Sequence, residues 1–239
     1  MTNEPASGSG EGRTALLVGT SRGLGLGLVQ QHLARGWRVI ATVRDHSPAL
    51  EALAEHAGDR LSIETLDINQ PAQLESLGQR LAGIRLDLLF VIAGVAHDPA
   101  QPIGAIADEE FIHILRTNAL SPMRAVERLE ALVPSPGGTI AVMSSSLGSI
   151  SLNESGGYET YRASKAALDM LLRSVAARRR ESQRTFLAVD PGWVRTDMGG
   201  PDAHLDVDTS TIGMTDMLEA RRGTPGVFFV TYRNEELSW

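Results

Sequence analysis

Tyr161 and Lys165 stand four residues apart in Tyr161-Arg162-Ala163-Ser164-Lys165, near the start of a long helical stretch. Residues at that spacing share one helix face, which places the ammonium beside the phenol. A phenol has a pKa of about 10 and is a poor acid or base at neutral pH. A neighbouring ammonium stabilises the phenolate and lowers that value. Hydride transfer to a ketone, or from an alcohol, needs such a group to give or take the oxygen's proton. The plainer alternative is a solvated surface pair. A second cluster, Ser144-Ser145-Ser146-Leu147-Gly148, follows the apolar run Thr139–Met143. Hydroxyls at the carboxyl end of a parallel strand sit where such sheets hold ligands. Otherwise they form a hydroxyl-rich turn.

The third cluster is Gly19-Thr20-Ser21-Arg22-Gly23-Leu24-Gly25, between an apolar run ending at Val18 and a helical stretch. Its glycines permit a tight turn and let backbone N–H groups approach a pyrophosphate at the helix N-terminus. The spacing is G-x-x-x-G-x-G, and a plain strand-to-helix turn would look similar. The same residues contain a competing pattern. Gly19-Thr20-Ser21-Arg22-Gly23 matches G-x-S-x-G, the nucleophile elbow of α/β-hydrolases. A serine hydrolase using Ser21 would then need His204, with Asp190 or Asp197 before it. That reading leaves Gly25, Tyr161 and Lys165 without a purpose.

The elements that must position these clusters alternate along the chain. Strand candidates are Ala15–Val18, Arg38–Val43, Leu61–Leu66, Leu86–Ile92, Thr139–Met143, Thr185–Val189 and Val227–Val230. Most are apolar on both faces, as buried parallel strands should be. Helical spacing joins Leu26, Val29 and Leu33 and stops at Gly36. A second helix starts at Asn69 with Pro71 just inside it. A third runs from about Asn118 through Ala125, Leu129 and Leu132, and the longest from Tyr158 to about Arg180. Strand–helix alternation over the chain predicts an α/β fold with a central parallel sheet. No linker, repeat or second domain is visible. The division is a disordered tail at 1–12 and one domain at 13–239.

Composition narrows the function. The chain has 239 residues, 42% apolar and 21% charged, with a net charge of −7. These values exclude a largely disordered chain and disfavour a nucleic-acid binder. Cysteine is absent, so thiolate catalysis and Cys-ligated zinc are excluded. The six histidines show no ligand spacing, and no metal site is expected. The longest apolar run, Leu86 to Ala96, falls short of the roughly 18 residues of a membrane span. With no signal-peptide pattern, the expected location is cytoplasmic.

Together the motifs resemble the short-chain dehydrogenase/reductase family, from about Thr14 to the C-terminus. The resemblance implies a Rossmann-type doubly wound sheet of about seven strands in order 3-2-1-4-5-6-7, with helices on both faces. Gly19…Gly23-Leu24-Gly25 looks like the family's cofactor loop. Ser145, Tyr161 and Lys165 look like its catalytic triad, and Asn118 in Thr117-Asn118-Ala119 like the residue completing a tetrad. By the same resemblance Asn118 holds the water that links Lys165 to solvent. Pro191-Gly192-Trp193-Val194-Arg195-Thr196 looks like the segment closing on the nicotinamide, and Leu66-Asp67-Ile68 like the adenine contact. Ala93-Gly94 keeps the small pair that lets the cofactor pass. The stretch 197–222 is implied as a substrate lid. Ser144-Ser145 with Leu147-Gly148-Ser149-Ile150, Gly156-Gly157-Tyr158, Gly192–Gly200 and Leu237-Ser238-Trp239 resemble the bacterial C-factor-like branch. Two departures stand out. Val91-Ile92 replaces the family's Asn-Asn, and Tyr161 lies 16 residues after Ser145, more than in compact members. The extra length falls in the Asn153–Gly157 loop and leaves Ser144 as the alternative catalytic serine.

The expected cofactor is NADP(H). NAD enzymes of this fold carry a carboxylate at the end of the second strand, where Val43 stands here. Arg44 follows it and Arg22 lies in the glycine loop, so two guanidinium groups can bracket a 2′-phosphate. Their alternative is as solvated surface charges. The predicted activity is reduction of a ketone or aldehyde to an alcohol, or the reverse. The competing class is a dinucleotide-binding signalling protein with little turnover, which needs the glycine loop but neither Tyr161 nor Lys165. The expected partner is a small carbonyl or alcohol substrate, and the family resemblance implies further copies of the chain, as a homodimer or homotetramer through the Asn118 and Tyr161 helices. Trp193 either lines the substrate pocket or packs.

Overall fold

The computed structural model describes residues 12–98 and 100–239; the tail expected at 1–12 lies outside them apart from Gly12. Seven strands form one sheet: β1 (Thr14–Val18), β2 (Arg38–Val43), β3 (Leu61–Thr65), β4 (Leu88–Val91), β5 (Thr139–Met143), β6 (Thr185–Asp190) and β7 (Gly226–Thr231). All neighbours are parallel, in the order β3-β2-β1-β4-β5-β6-β7. Both faces of β4 and β5 are buried along their whole length, which is why they read as unbroken apolar runs rather than as alternation. The strand order reverses between β1 and β4, and that reversal opens a crevice beyond their carboxyl ends.

Helices α1 (Gly23–Ala34), α2 (Pro48–Ala57) and α7 (Val207–Arg221) cover one face of the sheet, through Leu28, Val29, Leu50, Met214 and Met217. Helices α3 (Pro71–Arg80), α5 (Ser121–Leu129) and α6 (Glu159–Arg178) cover the other, through Leu74, Leu77, Val126, Leu168 and Leu172. Gly36, just past α1, takes φ +81°, a conformation that glycine adopts without a side-chain penalty. No described helix is long and apolar enough to cross a membrane.

Three helices differ from expectation. The helix expected from Asn118 begins ten residues earlier. It comprises α4 (Asp108–Leu115), a widened π turn at Arg116–Leu120, and α5. The helix expected from Asn69 begins at Pro71. Helix α7 falls inside the stretch expected as a lid, yet it packs against α1. A Cβ on Gly27 would come 2.8 Å from Val207 Cγ1 and 2.9 Å from Thr211 Cγ2. Its apolar pattern is weak because it buries Ser210, Thr211 and Thr215. Their hydroxyls are satisfied by Pro191 O, Val207 O and Thr211 O. The segment 197–206 precedes that core helix.

Candidate active site

A cleft of about 380 Å³ lies over the carboxyl ends of β1, β4 and β5. Its floor begins with the glycine loop. Gly19 has φ +96°, and a Cβ there would come 2.8 Å from the backbone of Ala93. A Cβ on Gly25 would lie 2.1 Å from Gly19 O. Thr42 pins the loop, accepting from Gly19 N–H at its hydroxyl and from Thr20 N–H at its carbonyl. No side chain caps the N-terminus of α1, whose first-turn N–H groups lack intrahelical partners. Gly19, Ser21, Arg22, Gly23, Leu24 and Gly25 all line the cleft.

Arg44, Asp67, Ile68, Ala93 and Gly94 also line it. Val43 is buried at the end of β2 and presents no acceptor. Arg44 is exposed, whereas Arg22 reaches across to Asp197 Oδ2 at 2.5 Å. Val91 and Ile92 hold the end of β4 through backbone: Ile92 N–H and Ala93 N–H both donate to Val18 O. From the later segment Pro191 and Thr196 line the cleft, but Gly192 and Val194 do not. Gly192 takes φ +77° against Leu205 and Tyr232. Val194 is buried and bridges to Leu205. They shape the segment rather than its surface. Arg195, Asp197 and Met198, none of them expected as cofactor contacts, do face the cleft. Trp193 is absent from the lining; its indole donates to Gly199 O at 2.8 Å and meets His204 edge-on.

Tyr161 and Lys165 are brought together on α6, with the ammonium 5.5 Å from the ring centroid. Both line the cleft. Lys165 Nζ donates to Met143 O at 2.8 Å. A Cβ on Gly94 would come 3.5 Å from Lys165 Nζ and 3.3 Å from Asn118 Oδ1. One electrostatic expectation is corrected. Burial, together with Asp190 and Asp169, pushes the Tyr161 phenol above its ordinary value of 10. Burial also pushes Lys165 down to about 8, against the pull of Asp169. Desolvation of both groups outweighs the stabilisation expected from their spacing alone. In this environment Tyr161 is held as the protonated phenol.

The serines separate. Ser144 is buried, lines the cleft, and its hydroxyl has no hydrogen-bond partner. Ser145 is half-buried and outside the lining, and its Oγ accepts from Leu147 N–H at 3.2 Å. Asn118, in the π turn, is fully buried and also off the lining. Its amide donates to Val95 O and to Ser164 Oγ, and its Oδ1 accepts from Val95 N–H. It clamps the loop after β4 onto α6. The hydrolase arrangement is not assembled: His204 meets Trp193 edge-on, Asp197 pairs with Arg22, and Asp190 accepts from Ser146 N–H.

Two features escaped the motif reading. Asp169 and Asp190, the second weighed only as a hydrolase acid, are buried carboxyls near Tyr161, contributed by different elements. Lys165 is also the only lysine in the chain; the other 21 basic residues are arginines. Guanidinium groups stay charged, whereas an amine can titrate, so that lone lysine was a legible signal.

Comparison with known proteins agrees with this fold. A family profile described as short chain dehydrogenase matches residues 13–204. A short-chain dehydrogenase/reductase from Burkholderia multivorans, crystallised with bound NADP, is 50% identical with a TM-score of 0.93, covering 95% of this chain and 99% of that one. A carbonyl reductase from Pseudomonas aeruginosa, in complex with NADP, is 41% identical with a TM-score of 0.88 over 95% of this chain and 99% of that one. The C-signal protein of Myxococcus xanthus is 35% identical over 139 residues, 56% of this chain and 84% of that protein. Matching motifs, sheet order and relatives place the chain in the short-chain dehydrogenase/reductase family.

Proposed function

We propose that this chain reduces a ketone or aldehyde to the alcohol with NADPH. The observation that carries it is the phenol–ammonium pair of Tyr161 and Lys165, set in the cleft beside Gly94. The residues present fit a dinucleotide: close-packed Gly19 and Gly25 leave an open backbone cradle, and the uncapped start of α1 offers N–H groups to a pyrophosphate. Arg22 and Arg44 line the cleft and would hold a 2′-phosphate. The NADP complexes of two relatives support the same choice. When bound, NADPH supplies the hydride. Tyr161 donates its phenolic proton to the carbonyl oxygen, and its raised pKa keeps that proton in place until the oxygen becomes basic. Ser145 orients the oxygen. Its Oγ already accepts the Leu147 N–H, so its own O–H remains available to donate. Lys165 would hold the ribose of the bound cofactor and supports the phenol electrostatically. Asn118 fixes the loop behind both. A signalling role needs neither Tyr161 nor Lys165, although one relative carries a signal's name.

The test is NADPH consumption against a carbonyl panel, for wild type and Tyr161→Phe. The ring is kept and one hydroxyl is lost, so turnover falls by about 10²–10⁴-fold. NADPH affinity is unchanged. A Phe variant that keeps most of the activity refutes the mechanism.

A further inference from the structure

One helical turn beyond Lys165, α6 buries Asp169, which is 4% exposed. Neither carboxyl oxygen makes a hydrogen bond of good geometry, although the Ser144 hydroxyl faces the carboxyl. A Cβ on Gly148 would come 2.8 Å from Asp169 Oδ2 and 2.9 Å from Lys165 Cβ, so the turn after β5 closes directly over this pair. The charged and polar groups facing Asp169 come from three elements. Lys165 lies on its own helix, the Ser144 hydroxyl at the end of β5, and Asp190 at the end of β6. Burial and Asp190 push the Asp169 carboxyl up to about 7, against Ser144 and Lys165. A buried carboxylate without donors is costly, and an apolar side chain would pack there at lower cost. Beyond its hydrogen bond to Met143 O and the Tyr161 ring 5.5 Å away, Lys165 has Asp169 as its nearby negative charge.

We propose that Asp169 is a positioning residue whose carboxylate holds the chain's single lysine as an ammonium at and above neutral pH. The inference rests on the reductase reading for its consequence, because the ammonium supports Tyr161. Asp169 does not line the cleft and acts only through Lys165. Its effect has a defined window. Below about 7 the carboxyl is protonated and the lysine is charged without help. As pH rises toward about 8 the carboxylate is ionised and delays loss of the lysine proton.

The experiment uses the full chain labelled with ¹³Cε-lysine. One lysine gives one signal, and no cofactor is needed. Titrated wild type shows coupled steps from the Asp169–Lys165 pair, whereas Asp169→Asn shows a single step lower by about one pH unit. Asparagine keeps the shape of the side chain, so a merely structural role leaves the lysine midpoint unmoved. An unchanged midpoint overturns the proposal. Should the Asn variant not fold, Ser144→Ala serves instead. Losing that hydroxyl moves the Asp169 step upward in the lysine signal, and an unmoved step overturns the proposal equally. The alkaline limb of NADPH-dependent kcat/KM shifts down with the lysine midpoint in Asp169→Asn. Wild type that turns over no carbonyl sinks the reductase reading and leaves the lysine titration to judge Asp169.

Discussion

Cofactor choice is the prediction on which the structure changes the arithmetic most. Two guanidinium groups meeting a 2′-phosphate would each contribute about 1.5–3 kcal/mol in a closed site. Here Arg22 is not free: it pairs with Asp197 at 2.5 Å, and their side chains are 74% and 73% exposed. The phosphate must compete with that carboxylate, and solvent screens both contacts. Exposed pairs contribute only about 0.2–1 kcal/mol, so the Asp197 contact weakens phosphate binding by roughly two- to fivefold. Arg44, exposed on the lip of the cleft and without that competitor, carries more. Wild type should therefore favour NADPH over NADH by about 10–100-fold, with the preference falling as salt rises. Asp197→Asn should lower KM for NADPH by about two- to fivefold, and Arg44→Ala should raise it about tenfold, both with KM for NADH unchanged. Val43→Asp adds an acceptor for a 2′-hydroxyl and repels a phosphate, so it should reverse the preference. Steady-state kcat/KM with both cofactors at two salt concentrations reads all of this. Equal use of NADH and NADPH by wild type refutes the reasoning and returns both arginines to surface charges.

Ser145→Ala should cost roughly the 1–3 kcal/mol of an unmade hydrogen bond in kcat/KM, with Ser144→Ala milder; the reverse ranking in steady-state assays moves the role to Ser144. Gly25→Ala drives a Cβ to 2.1 Å from Gly19 O, so NADPH binding should be lost and thermal stability lowered, read by calorimetry with and without cofactor. His32 is buried on Leu28 O and against Trp37, and burial lowers its pKa from 6.5 to about 4. Between those values the unfolded chain binds the proton and the folded chain does not. Stability is therefore full above 6.5 and falls as pH drops toward 4, by about 3 kcal/mol. In Tm measurements across that window, His32→Phe should fall less than wild type; equal slopes refute the assignment.

What the sequence determined by itself is whatever a single element carries. Continuous apolar runs such as Leu88–Val91 and Thr139–Met143 announce buried parallel strands. The glycine loop and the Tyr161–Lys165 spacing each lie within one turn or one helix, so their neighbours in space are their neighbours in sequence. Helix α7 was not legible, because it buries Ser210, Thr211 and Thr215, whose hydroxyls bond to nearby carbonyls, and so shows little apolar period. Nor was the widened π turn that aims the Asn118 amide at Val95. The pairing of Arg22 with Asp197 joins residues 175 positions apart, and no local pattern encodes it. The proton chemistry lies furthest from the sequence. Motif spacing argued for a depressed Tyr161, yet the fold buries the phenol and adds Asp169 from α6 and Asp190 from β6, so its pKa rises instead. A pKa reports the dielectric and the charges around a group on every side, and those surroundings exist only once the elements have packed.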